Sequence, residues 1–166
     1  HLAERSGDAF ERMSDLTTLA DAQHYAGRHD DAAAMFQVAE TMLATQYPAY
    51  PRLYAQGGYR YCDLLLAGPE RAAWCRVMGT ATHVDPAVLA ACSAVIERAQ
   101  QALQWGQRSG LSLLNIALDH LTLGRAALYC AALDTSGPDY TTARAHLDAA
   151  VNGLRRAGQQ DELPRG

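Results

Sequence analysis

The feature that most constrains this chain is a rhythm of small and large residues that occurs twice. In GRHDDAAAMFQVAE, beginning at Gly27, the positions Ala32, Phe36 and Ala39 follow one another at steps of four and three. In YTTARAHLDAA, beginning at Tyr140, the positions Ala143, Leu147 and Ala150 repeat those steps. Steps of three and four place side chains on one face of an α-helix. Small residues on that face let a second helix cross closely, and the large residue fills the hole beside them. The rhythm therefore predicts packed helices.

Glycine and proline divide the rest of the chain into segments of the same kind. After a short tail ending at Gly7-Asp8, apolar residues recur at Phe10, Met13, Leu16, Leu19 and Ala20, close to a 3.6 period. Gly27 is placed to end that helix. Asp30 or Asp31 is expected to cap the next, which carries Ala32, Phe36, Ala39 and Leu43 and stops before Tyr47-Pro48. PAYPRLYAQ reads as a rigid connector, because Pro48 and Pro51 fix φ and disfavour helix before them. A third helix carries Leu53, Tyr54, Tyr61, Leu64 and Leu65 and is expected to end near Gly68-Pro69. Residues 69–84 then hold a short helix and a loop. Asp85-Pro86 marks a helix start, with Asp as cap and Pro in the first turn, and that helix runs to about Arg108, closed by Ser109-Gly110. Further helices span about Leu111–Leu133 and Tyr140–Ala157, separated by DTSGPD and closed by Gly158. No strand pattern competes. The fold class is all-α, as an α-solenoid of antiparallel helix pairs in which each pair buries its face against a neighbour.

Composition supports this reading and limits function. The chain has 166 residues, 49% of them hydrophobic and 19% charged, enough for a buried core. A net charge of −4 argues against a broad nucleic-acid or anionic-membrane surface. No apolar run is long enough to span a membrane. The four cysteines lack metal-ligand spacing and read as reduced thiols of a cytoplasmic protein. Both ends look cut, as in a piece of a longer protein.

LTTLADAQHYAGRHDDAAAMFQVAE, residues 16–40, resembles a tetratricopeptide repeat. Leu16, Leu19 and Ala20 match its first helix, Gly27 its turn, and Ala32, Phe36 and Ala39 its second helix. Gln23 departs from the pattern, where a large aromatic is usual. A second repeat unit has Tyr54, Gly58 and Tyr61 at matching intervals, with Gly57 in place of a leucine. Its second helix, with Ala99, Ala102 and Leu103, comes after an insertion. A third has Leu123, Gly124 and Ala127, then Tyr140, Ala143, Leu147 and Ala150. The repeat units cover about 8–47, 51–109 and 111–158. The resemblance implies a right-handed superhelix. Phrases such as YPRLYAQGGYRYCDLLL and AAVNGLRRAGQQDELPRG also resemble the C-terminal repeat arrays of bacterial multidomain proteins with a STAND-type NACHT or NB-ARC switch. That implies a sensor or scaffold segment. Nothing here matches a phosphate-binding glycine loop.

In tetratricopeptide arrays the first helices line a concave groove. Carried onto this sequence, that register implies Thr17, Asp21, His24 and Tyr25 from the first repeat unit, Arg52, Tyr59 and Asp63 from the second, and Arg125 and Tyr129 from the third. Mixed aromatic and charged groups suit capture of a peptide or protein. The expected partner is a protein or peptide, or another domain of the same chain, with homodimerisation through exposed terminal repeats as a further expectation. The alternative is a ligand-responsive regulatory domain with a small-molecule pocket near the insertion at 68–85.

No catalytic, metal or cofactor site is expected. His24 and His29 are five apart and could bind a metal with Asp21 or Asp30, but a polar groove and a solvated turn account for them. His83 with Cys75 lacks further ligands for zinc. Asp119-His120 are adjacent on a helix and point about 100° apart, so they form no relay. His120 reads instead as a semi-buried histidine. Arg144, Arg155, Arg156 and Arg165 read as a solvated basic face.

Overall fold

The computed structural model describes residues 2–80 and 83–158, with side chains from Phe10 onward. Among these residues the chain is all-α and contains six helices. They are α1 (Leu2–Tyr25), α2 (His29–Gln46), α3 (Ala55–Val77), α4 (Pro86–Ser109), α5 (Leu113–Leu133) and α6 (Thr141–Ala157). Residues 1–64 and 65–166 form two compact units, with the boundary inside α3.

In the first unit α1 packs against α2. Gly27, at φ 78°, adopts the left-handed conformation that ends α1, as its position predicts. The expected aspartate cap is not formed. The α2 cap is Arg28, with no side-chain cap bond, and Asp30 and Asp31 sit inside the first turn. There they complement the positive end of the helix dipole rather than satisfy an orphan amide. Ala32, Phe36 and Ala39 are fully buried, so the rhythm of the sequence is the packing face of α2. Burying a side chain of Phe36's size contributes about 1.5–3 kcal/mol. Its ring stacks on Tyr61, with centroids 4.9 Å apart and planes within 13°. The connector spans 47–54. Pro48 and Pro51 lie outside helix as expected, whereas Leu53 and Tyr54 precede α3 rather than lie on it. Glu40 Oε1 ties the connector to α2 by accepting from the Leu53 amide at 2.8 Å.

Two further boundaries differ from expectation. α1 runs through Gly7-Asp8 rather than starting after it, and α3 runs through Pro69 to Val77 rather than ending there. A mid-helix proline removes one backbone bond. Here the residues around it are held by burial: Leu66, Pro69 and Ala73 share a buried face. Tertiary packing overrides the local preference.

In the second unit α5 packs against both α4 and α6. Every residue from Ala117 to Ala126 except His120 is buried, which is why α5 carries so few charged groups. Asp85 caps α4 by accepting from the Ala87 amide at 2.9 Å, with Pro86 as the first helical residue. Gly110 and Gly158 end α4 and α6 in the left-handed conformation. The helix ends at Gly27, Asp85-Pro86, Gly110 and Gly158 are therefore where the sequence places them, whereas Gly7 and Gly68 lie inside helices.

Candidate functional site

The polar residues of the first unit gather where α1 lies beside the first turns of α3. Gly57 faces α1 here, and a Cβ there would make ordinary contact with the Thr17 methyl at 3.4 Å. Gly58 is required by its own backbone, since a Cβ would meet the Leu53 carbonyl oxygen at 2.6 Å.

Two linked groups follow along this seam. Arg60 Nη1 donates to Thr18 Oγ1 at 2.9 Å, and its Nε lies 3.4 Å from Asp21 Oδ2. One turn further on, the Tyr25 hydroxyl donates to Asp63 Oδ2 at 3.2 Å. His24 Nε2 lies 3.6 Å from the same oxygen, and His24 Nδ1 lies 3.3 Å from Nδ1 of the exposed His29. Asp63 is buried, whereas Tyr25 is 59% exposed. The row thus runs from a buried carboxylate outward to an exposed ring.

Of the residues expected in a groove, the structure brings together Asp21, His24, Tyr25 and Asp63. Thr17 and Tyr59 are buried, and Arg52 is half-buried. Thr17 Oγ1 donates to the Ser14 carbonyl within α1. Arg125 and Tyr129 are buried in the second unit. Arg125 Nε donates to the Tyr129 hydroxyl at 3.3 Å, and its Nη2 lies 3.2 Å from Glu70 Oε2. Burial raises the Tyr129 pKa above its ordinary value. Sequence reasoning missed Thr18 and Arg60. Their signal was the spacing Thr18, Asp21, Tyr25 on one helix and Arg60, Asp63 on the other, both of helical period.

Other chemistry-bearing groups lie in the second unit. Nδ1 of His120 and Nδ1 of His146 are 2.9 Å apart, and burial lowers both pKa values. Asp119 is buried, its Oδ2 has no hydrogen-bond partner among the described residues, and desolvation raises its pKa to about 7. None of the four cysteines is in a disulfide. A hydrogen bond between the Cys92 and Cys130 thiols raises the first and lowers the second to about 7. Arg144, Arg155 and Arg156 are exposed, and Arg165 lies outside the described residues. Around the insertion, His83, Trp74, Val77 and Met78 are exposed. Among the described residues no three His, Cys, Asp or Glu side chains converge on a metal-sized site. No helix of the described residues is long and apolar enough to cross a membrane.

No family is identified by comparison. No protein-family model, curated protein or solved structure matches the chain.

Proposed function

We propose that this chain is a non-enzymatic helical-repeat segment, similar to tetratricopeptide arrays, that binds a peptide or protein along the seam between α1 and α3. The observation that carries the reading is the polar row itself. Thr18, Arg60 and Asp21 form one linked group, and Tyr25, Asp63 and His24 form the next. Both groups arise from helix spacing rather than from loops, so the surface is preformed and little ordering entropy opposes binding. The row carries an exposed tyrosine, Tyr25, and an arginine, Arg60, two residue types enriched at binding hot spots. A scaffold within a longer sensor protein, stacked in a right-handed superhelix, is the larger setting this reading implies.

The test is selection of peptides from a displayed library against the whole chain, followed by fluorescence anisotropy. Selected peptides are expected to lose at least about tenfold in affinity against Tyr25→Ala and Arg60→Ala, and to be unaffected by Val38→Ala on exposed α2 surface. Equal binding to all three variants would move the site away from this seam. A metabolite that raises the melting temperature, where no peptide does, would favour a ligand-responsive regulatory domain instead.

A further inference from the structure

Cys92 of α4 and Cys130 of α5 stand level with each other in the second unit. The chain reverses between the two helices over residues 110–112, and α5 packs against α4. Gly106 of α4 fixes their register, since a Cβ there would lie 3.7 Å from Ile116 Cγ1 of α5. Cys92 precedes Gly106 by 14 residues, and Cys130 follows Ile116 by 14. Fourteen residues rise about 21 Å and fall about 40° short of four full turns. Both cysteines therefore reach the same height and return to nearly the face that Gly106 and Ile116 present.

The α4 residues buried on that face are Cys92, Val95, Ala99, Ala102 and Gly106, none larger than valine. Side chains of that size let two helix axes approach closely. The thiols meet there, with the Cys92 S–H donating to Cys130 Sγ.

The two sulfurs are unlike. Cys92 is fully buried, whereas Cys130 is half-buried. The hydrogen bond from Cys92 stabilises the Cys130 thiolate and holds its pKa at about 7. The same bond, together with burial, keeps Cys92 protonated. At pH 7 about half of Cys130 is thiolate, against about 3% for an ordinary thiol of pKa about 8.5. The thiolate is the nucleophile in thiol oxidation.

We propose that Cys130 is an oxidation site for hydroperoxides, with hydrogen peroxide the simplest, and that Cys92 resolves the product into a disulfide between α4 and α5. In the first step Cys130 Sγ attacks one peroxide oxygen. The O–O bond breaks, and the departing hydroxide takes the proton that Cys130 released, giving water. Cys130 has lost two electrons and is a sulfenic acid. In the second step Cys92 Sγ attacks Cys130 Sγ. The S–S bond forms, the S–O bond breaks, and the hydroxyl leaves as water with the Cys92 proton. Two thiols and one peroxide become one disulfide and two waters. The bond ties the open end of the α4–α5 hairpin, opposite the turn at 110–112, and a dithiol reverses it.

The experiment treats the reduced whole chain with hydrogen peroxide at pH 7, alkylates remaining thiols in denaturant, and maps tryptic peptides by mass spectrometry. Arginines place each cysteine on a different peptide, with Cys92 on 77–98 and Cys130 on 126–144. These two peptides are expected to be joined, to part on reduction with dithiothreitol, and to join at least about tenfold faster than Cys75 is oxidised. Cys92→Ala should leave Cys130 as a sulfenic acid that dimedone captures. Cys130→Ala should leave Cys92 alkylatable. The wild-type map stands by itself if either variant folds poorly. Joining of any other pair overturns the proposal, as does Cys130 that reacts no faster than Cys75. Dimedone capture at Cys92 instead of Cys130 overturns it as well. Equal joining in concentrated urea would also overturn it, because the link would then owe nothing to the fold.

Discussion

Leu147 of α6 occupies the space that any side chain on Gly124 of α5 would need. A Cβ at Gly124 would lie 2.7 Å from both Cγ and Cδ2 of Leu147 and 3.1 Å from its amide nitrogen. The same device recurs one helix turn and more away, where a Cβ on Gly153 would lie 2.7 Å from the Ala117 Cβ. Close approach at these two points is how α5 and α6 bury their faces.

Gly124→Ala is therefore expected to destabilise the chain by about 1–3 kcal/mol, although alanine is the better helix former by about 1 kcal/mol. Leu147→Ala removes the obstructing group and leaves a cavity. In the double variant the alanine Cβ partly fills that cavity, so the two costs should not add. Urea denaturation of the four proteins checks this. Strict additivity would mean that the two residues do not share the space.

Phe36 and Tyr61 make the equivalent contact in the first unit, as stacked rings rather than as a glycine and a leucine. Phe36 is fully buried. Phe36→Ala should cost about 3–5 kcal/mol, and Phe36→Leu distinctly less, because leucine keeps most of the buried apolar area. Equal losses for both variants, measured by thermal or chemical unfolding, would assign the stability to the stack rather than to burial.

These contacts show which parts of the fold were legible in the sequence. Ala32, Phe36 and Ala39 were legible because small and large residues at helical spacing have one packing solution. Gly27, Asp85-Pro86, Gly110 and Gly158 were legible because a helix end needs particular backbone conformations or acceptors. Pro69 was misleading because its local cost is outweighed by the burial of Leu66, Pro69 and Ala73, which no local pattern displays. At the candidate site, Asp21, His24, Tyr25 and Asp63 were named because a repeat register projects them to one side. Thr17 and Tyr59 were named with them and are buried. Register gives direction but not depth, and depth depends on tertiary packing that no local pattern displays.

Asp119 makes stability depend on pH in a definite direction. Its carboxyl is buried, Oδ2 has no hydrogen-bond partner among the described residues, and its pKa rises to about 7 in the folded chain, against about 3.9 when unfolded. The folded state therefore holds a proton that the unfolded state releases. The contribution is fully present below about pH 4 and is lost as pH rises to about 7. Asp119→Asn removes the ionisation and keeps the volume. It should stabilise the chain by about 1–3 kcal/mol at pH 8 and change little near pH 4. Denaturation curves at the two pH values decide this, and an equal effect at both would place the cause outside ionisation.

His120 and His146 produce the opposite slope. One imidazole donates to the other across 2.9 Å, so the bond fails once both are protonated. Burial lowers both pKa values below the ordinary value near 6.5, with His146 also acting on His120. Here the unfolded state takes up protons first. The contribution is present above about pH 6.5 and is lost as pH falls through the lowered values. In wild-type chain Asp119 gains stability over part of the same range and masks the loss. Asp119→Asn should therefore expose a steeper acid limb than the wild type. Adding His146→Gln supplies an amide that stays neutral and still hydrogen-bonds His120, so the limb should flatten while stability at pH 7.5 changes by no more than about 1 kcal/mol. Urea titrations from pH 4.5 to 7.5 on these three proteins separate the two effects. An acid limb that persists unchanged with His146→Gln would show that groups other than this pair create it.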